Sequence, residues 1–253
     1  MSTRPADIVS PIGDKALPDK IPLADARRAG RAGHDKPTPD NSIALLIDHQ
    51  IGLMAGVRDF TSAAEYKSNV VGLARAVKAL KIPVLITSSN AQWQNGDTLP
   101  EIKELFPDQP IYRRTGIVNA YEDPTFRQAF EDVVARTGRR HVIIAGVTIG
   151  TCCAFPTLSL LNDGYPVFPV IDACGAWNRY ETQAAMLRMA NAGAQPVTTF
   201  ALAAELQADW KLPSANDMLA PFNNNLSEYG FVVQNFWNNA GQHTVPDPFG
   251  MVK

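Results

Sequence analysis

The sequence lacks both a long apolar run and an excess of one charge. Its 253 residues include 23 basic and 25 acidic side chains, which give a formal net charge of -2. Because the charges are interspersed, no basic face is available for nucleic acid or an anionic membrane. No apolar segment is long enough to cross a bilayer, and the first residues lack the apolar core of a signal peptide. We therefore expect a cytoplasmic protein that binds neither nucleic acid nor membranes.

Cysteine and histidine are also scarce, with three and four residues in the whole chain. The cysteines are Cys152, Cys153 and Cys174, and they show neither a Cys-x-x-Cys motif nor a His/Cys spacing for zinc. His49 follows Asp48, but no second His/Asp pair lies nearby, so we predict that the protein binds no metal. Adjacent cysteines pair badly, and free thiols in a reducing compartment are therefore expected.

The two ends of the chain are polar and differ in composition from its middle. Residues 1–40 are rich in Pro, Gly, Asp and Arg. This composition is typical of a disordered segment, but also of an arm that grips a neighbouring subunit, and both interpretations stay open. Residues 213–253 are predicted to be an irregular C-terminal tail, which leaves residues 41–212 as the folded domain.

Patterns of strands and helices alternate through residues 41–212. Continuous apolar runs indicate parallel strands that are covered on both faces. The strands are predicted at 43–47, 83–87, 111–114, 141–146, 166–171 and 196–199. The helices are predicted at 61–80, 123–138, 151–162, 181–192 and 200–210. Repeated strand–helix–strand units predict an α/β fold, specifically a Rossmann-like three-layer α/β/α sandwich with a mostly parallel six-stranded sheet.

Three residues that could perform chemistry follow predicted strands. Open parallel sheets bind ligands beyond the carboxyl ends of their strands, and Asp48, Arg114 and Cys152 all lie at such positions. Together they could form a nucleophilic site in which Asp48 accepts the thiol proton, Arg114 stabilises negative charge and Cys152 attacks. Each also has a purely structural interpretation, as a helix cap, an ion-pair partner and a small buried hydrophobe.

The segment before Cys152 is predicted to activate it. A thiol in the first turn of a helix lies close to unpaired backbone N–H groups and to the positive end of the helix dipole, and both favour the thiolate. The backbone of Thr148, Ile149 and Gly150 is expected to polarise the attacked carbonyl. Cys153 points about 100° away around the helix, so we expect it to pack in the core.

Six sequence blocks occur in an order that resembles a known family. They are Leu46-Ile-Asp-His-Gln50, Pro83-Val-Leu-Ile-Thr-Ser-Ser89, Arg114-Thr-Gly-Ile-Val-Asn-Ala-Tyr121, Ile144-Ala-Gly146, Cys152-Cys-Ala-Phe-Pro-Thr-Leu-Ser159 and Val170-Ile-Asp-Ala-Cys-Gly175. From about residue 43 to residue 210, the chain resembles the isochorismatase-like cysteine hydrolase superfamily, and within it the YcaC-like branch.

The resemblance implies a nucleophile at Cys152, a general base at Asp48 and a cationic third member at Arg114. Much of the superfamily has Lys at the third position. Arg effectively keeps its proton, so Arg114 is expected to act as an electrostatic clamp and not as a proton shuttle. The resemblance also implies a cis peptide bond at Thr148–Ile149. It further implies a ring-shaped homo-oligomer, commonly an octamer.

Three further residues are candidates for the substrate pocket. Gln50 and Asn119 lie within the matching blocks, and Phe155 lies one helical turn after the proposed nucleophile. Family chemistry is the hydrolysis of amides, or of vinyl ethers in some members, without an obligatory cofactor. The sequence therefore predicts a cofactor-independent cysteine hydrolase that acts on a small amide-like molecule through a thioester. A catalytically silent oligomeric protein and a redox-responsive thiol protein stay open as alternatives.

Overall fold

The computed structural model describes residues 35–240. Most of the predicted N-terminal arm, and the last 13 residues of the predicted tail, lie outside this range. The strands are β1 (Ser42–Ile47), β2 (Val84–Ser89), β3 (Ile111–Arg114), β4 (His141–Gly146) and β5 (Val167–Pro169). The helices are α1 (Ile51–Gly56), α2 (Ala63–Ala79), α3 (Pro100–Leu105), α4 (Pro124–Thr137), α5 (Ala154–Asn162), α6 (Arg179–Asn191), α7 (Thr199–Gln207), α8 (Ala215–Asn225) and α9 (Ser227–Ala240).

The five strands form one parallel sheet in the order β3-β2-β1-β4-β5. The central strand β1 is buried along its whole length. A continuous apolar run is what a strand needs when helices cover both faces of its sheet, so the predicted α/β fold is confirmed. The strands β2 and β3 lie on one side of β1, and the chain then crosses to the other side of β1, where β4 and β5 lie. The crevice at this reversal is where open parallel sheets bind ligands.

The predicted sixth strand at 196–199 is wrong for the part of the chain that the structure describes. Val197 makes a single parallel bridge with Val170, and no ladder extends from it. Pro196 has no N–H to contribute to a ladder. Two residues later the Thr198 hydroxyl accepts a hydrogen bond from the Ala201 N–H and caps α7. The chain is therefore drawn into a helix before a strand can form.

Local signals in the sequence set the ends of α4 as predicted. The Asp123 carboxylate accepts hydrogen bonds from the N–H groups of Thr125 and Phe126, and Pro124 occupies the first turn. Gly138 ends the helix with a positive φ of 69°. No helix within residues 35–240 combines the length and the apolar character that a bilayer crossing requires.

The prediction of an irregular segment after residue 212 is wrong for residues 215–240, which form α8 and α9. Met218 and Phe222 are fully buried on one face of α8. The Phe222 ring packs edge-on against Trp210 and Tyr229, with centroids 4.9 and 5.3 Å away. The α8 helix also contacts α2, where Ser68 donates a hydrogen bond of 2.9 Å to the Asn225 carbonyl. An apolar stripe thus makes this Asn-rich segment helical through tertiary packing.

Candidate active site

Asp48, Arg114 and Cys152 meet at the carboxyl edge of the sheet. Asp48 directly follows β1, Arg114 is the last residue of β3, and Cys152 lies just beyond β4. The Arg114 guanidinium reaches past β2 to form an ion pair with the Asp48 carboxylate, and both side chains are buried. The Asp48 carboxylate also lies near enough to the Cys152 thiol for its negative charge to raise the pKa of that thiol. The structure therefore brings the three predicted residues together.

The backbone and a neighbouring hydroxyl fix the Asp48 carboxylate. Asp48 adopts a left-handed conformation with a φ of 56°, which few non-glycine residues adopt. The Thr87 hydroxyl donates a hydrogen bond of 2.7 Å to Asp48 Oδ1, while Oδ2 receives the Arg114 guanidinium. The sheet register pairs Ile47 with Thr87, and this places the hydroxyl beside the carboxylate. The sequence does not reveal this role, although Thr87 is the polar residue that ends the predicted second strand.

Arg114 joins the carboxylate to the loop that follows β3. One guanidinium nitrogen donates to the carbonyl oxygens of Ile117 and Val118, the second at 2.9 Å. A second guanidinium nitrogen, Nη2, donates to Asp48. The planar guanidinium can hold both partners at once because its donors have a fixed geometry. Arg114 therefore provides a fixed positive charge and also anchors one side of the site.

Cys152 is the accessible member of the three cysteines. It lies in a π-helical turn, Ile149–Cys153, which leads into α5. Its side chain is half-buried, whereas Cys153 and Cys174 are fully buried, and all three are free thiols. A cis peptide bond occurs just before this turn at Val147–Thr148, one residue earlier than predicted. Of the three cysteines, Cys152 is thus the one that is not fully buried.

The predicted thiolate at Cys152 is wrong for the resting site. Burial raises the pKa of the thiol to about 12, and the negative charge of Asp48 also raises it. A hydrogen bond from Thr151 and the charge of Arg114 lower the pKa, but these are smaller effects. Desolvation and a nearby carboxylate therefore outweigh the start of the helix. The resting thiol is neutral and lies beside a group that can take its proton.

The predicted oxyanion segment contributes some of its backbone, but not all. The Ile149 N–H donates a hydrogen bond of 2.8 Å to the Gly175 carbonyl, so it is not available to a substrate. The Thr148 carbonyl accepts from the Cys153 N–H at 3.1 Å. Within residues 35–240, the N–H groups of Gly150 and Cys152 make no backbone hydrogen bond to a residue outside the turn Ile149–Cys153. They are therefore the candidate donors to a developing negative charge.

Glu181 is a second residue that sequence analysis missed. It lies in the first turn of α6, and its carboxylate accepts a hydrogen bond of 2.6 Å from the Thr148 hydroxyl. Its other oxygen accepts from the Trp177 N–H at 2.9 Å. The Asn178-x-x-Glu181 spacing is a helix-start signal, and Asn178 does cap α6. That signal gives no indication that Glu181 also reaches the turn before the nucleophile.

Two of the three predicted pocket residues are committed to structural hydrogen bonds. The side-chain amide of the buried Gln50 accepts a hydrogen bond from the Ser89 N–H and donates to the Ser89 carbonyl. It also donates to the Gly96 carbonyl at 2.6 Å. Asn119 caps a short 3₁₀ helix and donates to the Ser159 hydroxyl at 3.0 Å. These residues shape the loops around the site. Phe155 is only partly buried, and it stays a candidate for the wall of the pocket.

A cavity of about 1000 Å³ lies away from these groups, and its lining contains none of the three converging residues. It lies between α2 and the C-terminal helices, where Phe200 and Tyr229 contribute to its wall. Within the described residues, no group of three or more His, Cys, Asp or Glu side chains is arranged to hold a metal ion. The thiol, the carboxylate and the guanidinium therefore mark the candidate site.

Comparisons with known proteins match this chain to one family. The model of the isochorismatase domain matches residues 42–200. The probable hydrolase YcaC of Escherichia coli is 37% identical over 190 residues, which cover 75% of this chain and 88% of that protein. The structure of YcaC from Pseudomonas aeruginosa, solved with hexane-2,5-diol and covalent acrylamide, matches with a TM-score of 0.76 and 37% identity, covering 81% and 99% of the two chains.

The structure of the Escherichia coli YcaC gene product also matches. It has a TM-score of 0.76 and 35% identity to this chain, and the match covers 82% of this chain and 98% of the other. That protein is described as an octameric hydrolase of unknown specificity.

Proposed function

The chain belongs to the isochorismatase domain family of hydrolases, and on that premise we propose that it is a cofactor-independent cysteine hydrolase of small amide-like substrates. One observation carries the proposal. The Asp48 carboxylate forms an ion pair with the Arg114 guanidinium, and it lies near enough to the Cys152 thiol to raise the pKa of that thiol. A nucleophile beside a positioned base is the arrangement that covalent catalysis requires.

In the first half of the proposed reaction, Cys152 attacks the carbonyl carbon of the amide. Asp48 takes the thiol proton as the S–C bond forms, so no free thiolate has to form before the attack. The N–H groups of Gly150 and Cys152 stabilise the charge on the carbonyl oxygen. Asp48 then gives the proton to the leaving nitrogen, the C–N bond breaks, and an acyl thioester remains on the sulfur.

In the second half, water replaces the amine. Asp48 takes a proton from the water molecule as its oxygen attacks the thioester carbon. The C–S bond breaks, and the proton on Asp48 returns to the sulfur as the acid leaves. Arg114 keeps its proton throughout and acts as an electrostatic clamp on Asp48. The cycle ends with the neutral thiol and the charged carboxylate of the resting site.

The structure of a similar protein, YcaC from Pseudomonas aeruginosa, contains covalent acrylamide, which is consistent with a reactive nucleophile in the family. Acrylamide is an electrophile that alkylates thiols and is itself a small amide. A redox-sensing role is less well supported in this chain. Sensor cysteines have a low pKa, whereas burial raises that of Cys152, and the other two thiols are inaccessible in the core.

Turnover by matched cysteine variants tests the proposal. Small amides, carbamoyl compounds and nicotinamide are screened with the wild type, and the best substrate is then given to Cys152→Ala and Cys153→Ala. We expect Cys152→Ala to lose about 10³-fold or more of the rate, because removal of a nucleophile costs at least this much. Cys153→Ala should keep most of it, since that thiol is buried away from the substrate. Equal turnover by the wild type and Cys152→Ala would contradict the mechanism.

A further inference from the structure

A chain of hydrogen bonds links Glu181 to the sulfur of Cys152. The Thr148 hydroxyl lies 2.6 Å from Glu181 Oε1 and 3.0 Å from the Thr151 hydroxyl. The Thr151 hydroxyl in turn lies 3.7 Å from Cys152 Sγ, within reach of a hydrogen bond to sulfur. The line runs from the first turn of α6 to the reacting atom through two side-chain hydroxyls. The mechanism described above uses none of these three partners.

The number of hydrogens fixes the direction of this chain at one end. An ionised carboxylate only accepts, so the single hydroxyl hydrogen of Thr148 points to Glu181. The Thr148 oxygen then presents only lone pairs to Thr151. Thr151 also has a single hydroxyl hydrogen, and it has two acceptors, the Thr148 oxygen and the Cys152 sulfur. Because Thr148 donates to Glu181, the Thr151 hydroxyl hydrogen can bond either the Thr148 oxygen or the Cys152 sulfur. If Thr148 donated to Thr151 instead, the sulfur would be the remaining acceptor.

The fit of Gly150 around this carboxylate gives independent support. A Cβ atom at Gly150 would lie 2.9 Å from both Cγ and Oε1 of Glu181. The carboxylate is also held from its other side by the Trp177 N–H. The turn before the nucleophile thus leaves room for the Glu181 side chain and binds one of its oxygens, while the Trp177 N–H binds the other.

We propose that Glu181 is a positioning residue for the nucleophile, and that Thr151 moves its hydroxyl hydrogen from Thr148 to the Cys152 sulfur when that sulfur becomes charged. The proposal rests on Cys152 being the nucleophile. The move is a rotation about the Thr151 C–O bond, so no covalent bond forms or breaks, and the thiol proton still passes to Asp48. A charge-assisted hydrogen bond is stronger than a neutral one, which drives the switch. The resting thiol gains little from Thr151, and the attacking sulfur gains more.

The test compares the pH dependence of Cys152 alkylation by iodoacetamide in four variants. They are Glu181→Gln, Thr151→Val, the double variant, and Glu104→Gln as a control that removes the same charge from an exposed position on α3. Peptide mapping by mass spectrometry assigns the alkylated thiol, and circular dichroism checks the fold. The charged groups that face the sulfur are Asp48 and Arg114, and no variant alters them.

The expected direction of each pH shift follows from where the hydroxyl and amide hydrogens point. The Trp177 N–H needs an acceptor, so the Gln amide would turn its oxygen to Trp177 and its NH₂ group to Thr148. Thr148 would then donate to Thr151, and Thr151 could donate only to sulfur. Glu181→Gln should therefore shift the alkylation profile to lower pH and raise the rate below the midpoint by about threefold to tenfold, the effect of one hydrogen bond. Thr151→Val should shift it to higher pH by a similar factor.

The double variant distinguishes an effect of Glu181 that passes through Thr151 from a direct effect of the Glu181 charge on the Cys152 sulfur. If Glu181 acts through Thr151, the effect of Glu181→Gln should largely disappear in the Thr151→Val background. An equal shift in both backgrounds, a shift to higher pH in Glu181→Gln, or the same shift in Glu104→Gln would overturn the proposal. If Glu181→Gln does not fold, Thr151→Val alone tests the proposal, and an unchanged alkylation profile in that variant would overturn it. Alkylation needs no substrate, so this result is independent of whether the protein hydrolyses amides.

Discussion

At Cys152, two physical effects act in opposite directions on one thiol. The start of a helix favours the thiolate, and sequence analysis weighed only that effect. Burial and the Asp48 carboxylate favour the neutral thiol, and they raise its pKa to about 12. Burial has the largest effect on the pKa of this thiol, and the pKa therefore rises. In the proposed mechanism this cysteine is therefore activated by proton transfer to Asp48 during attack, and a stable thiolate in the resting state is not expected.

Gly150→Ala tests the close fit between the turn and Glu181. The added Cβ would displace the carboxylate from Thr148 and from the Trp177 N–H. We expect the free energy of unfolding to fall by about 1–3 kcal/mol, from overpacking and lost hydrogen bonds. Urea denaturation of a double-mutant cycle with Glu181→Ala measures the effect. The cost of Gly150→Ala should become much smaller in the Glu181→Ala background, and the same cost in both backgrounds would contradict the fit.

The convergence of the three proposed catalytic residues was predictable because they lie at the ends of predicted strands. Asp48, Arg114 and Cys152 needed only the rule that ligands bind at the carboxyl edge of a parallel sheet. Glu181 was not predictable, because its spacing from Asn178 is already explained by a helix start. Gln50 was interpreted as a pocket residue, yet its amide braces a loop. Sequence position indicates where a side chain begins, but its hydrogen-bond partners come from distant segments.

At the scale of elements, apolar runs located the strands and capping residues located the helices. The run at 43–47 predicts the buried centre of the sheet, which is observed as β1. The predicted strand at 196–199 failed because a helix cap follows Pro196 within two residues. The helices α8 and α9 were missed because their Asn-rich sequence has weak intrinsic helix propensity. Packing of Phe222 among other aromatic side chains stabilises α8, and a local sequence pattern does not reveal such packing.

At the scale of the whole molecule, the chain carries large apolar side chains on its surface. Phe231 on α9 is 72% exposed, and Tyr180 and Leu187 on α6 are 84% and 64% exposed in the isolated chain. Such side chains are often covered in oligomers. The similar protein from Escherichia coli is described as octameric.

We therefore expect this protein to form a ring-shaped homo-oligomer in solution. Native mass spectrometry at low micromolar concentration should give a multiple of the 27.5 kDa chain mass, with eight copies as the expected number. A dilution series in the same buffer serves as the control for non-specific association, which is lost first on dilution. A monomer at every concentration would contradict the expectation.

The pH profile of Cys152 alkylation in Asp48→Asn, compared with the wild type, tests the central claim most directly. Asp48 raises the pKa of the Cys152 thiol through its charge and its hydrogen bond. Removing that charge should therefore move the profile to lower pH, while amide hydrolysis is lost because no group remains to carry the proton. Faster alkylation together with lost hydrolysis is the predicted result. An unchanged profile, or hydrolysis that survives the substitution, would contradict the account of Asp48 as the base of Cys152.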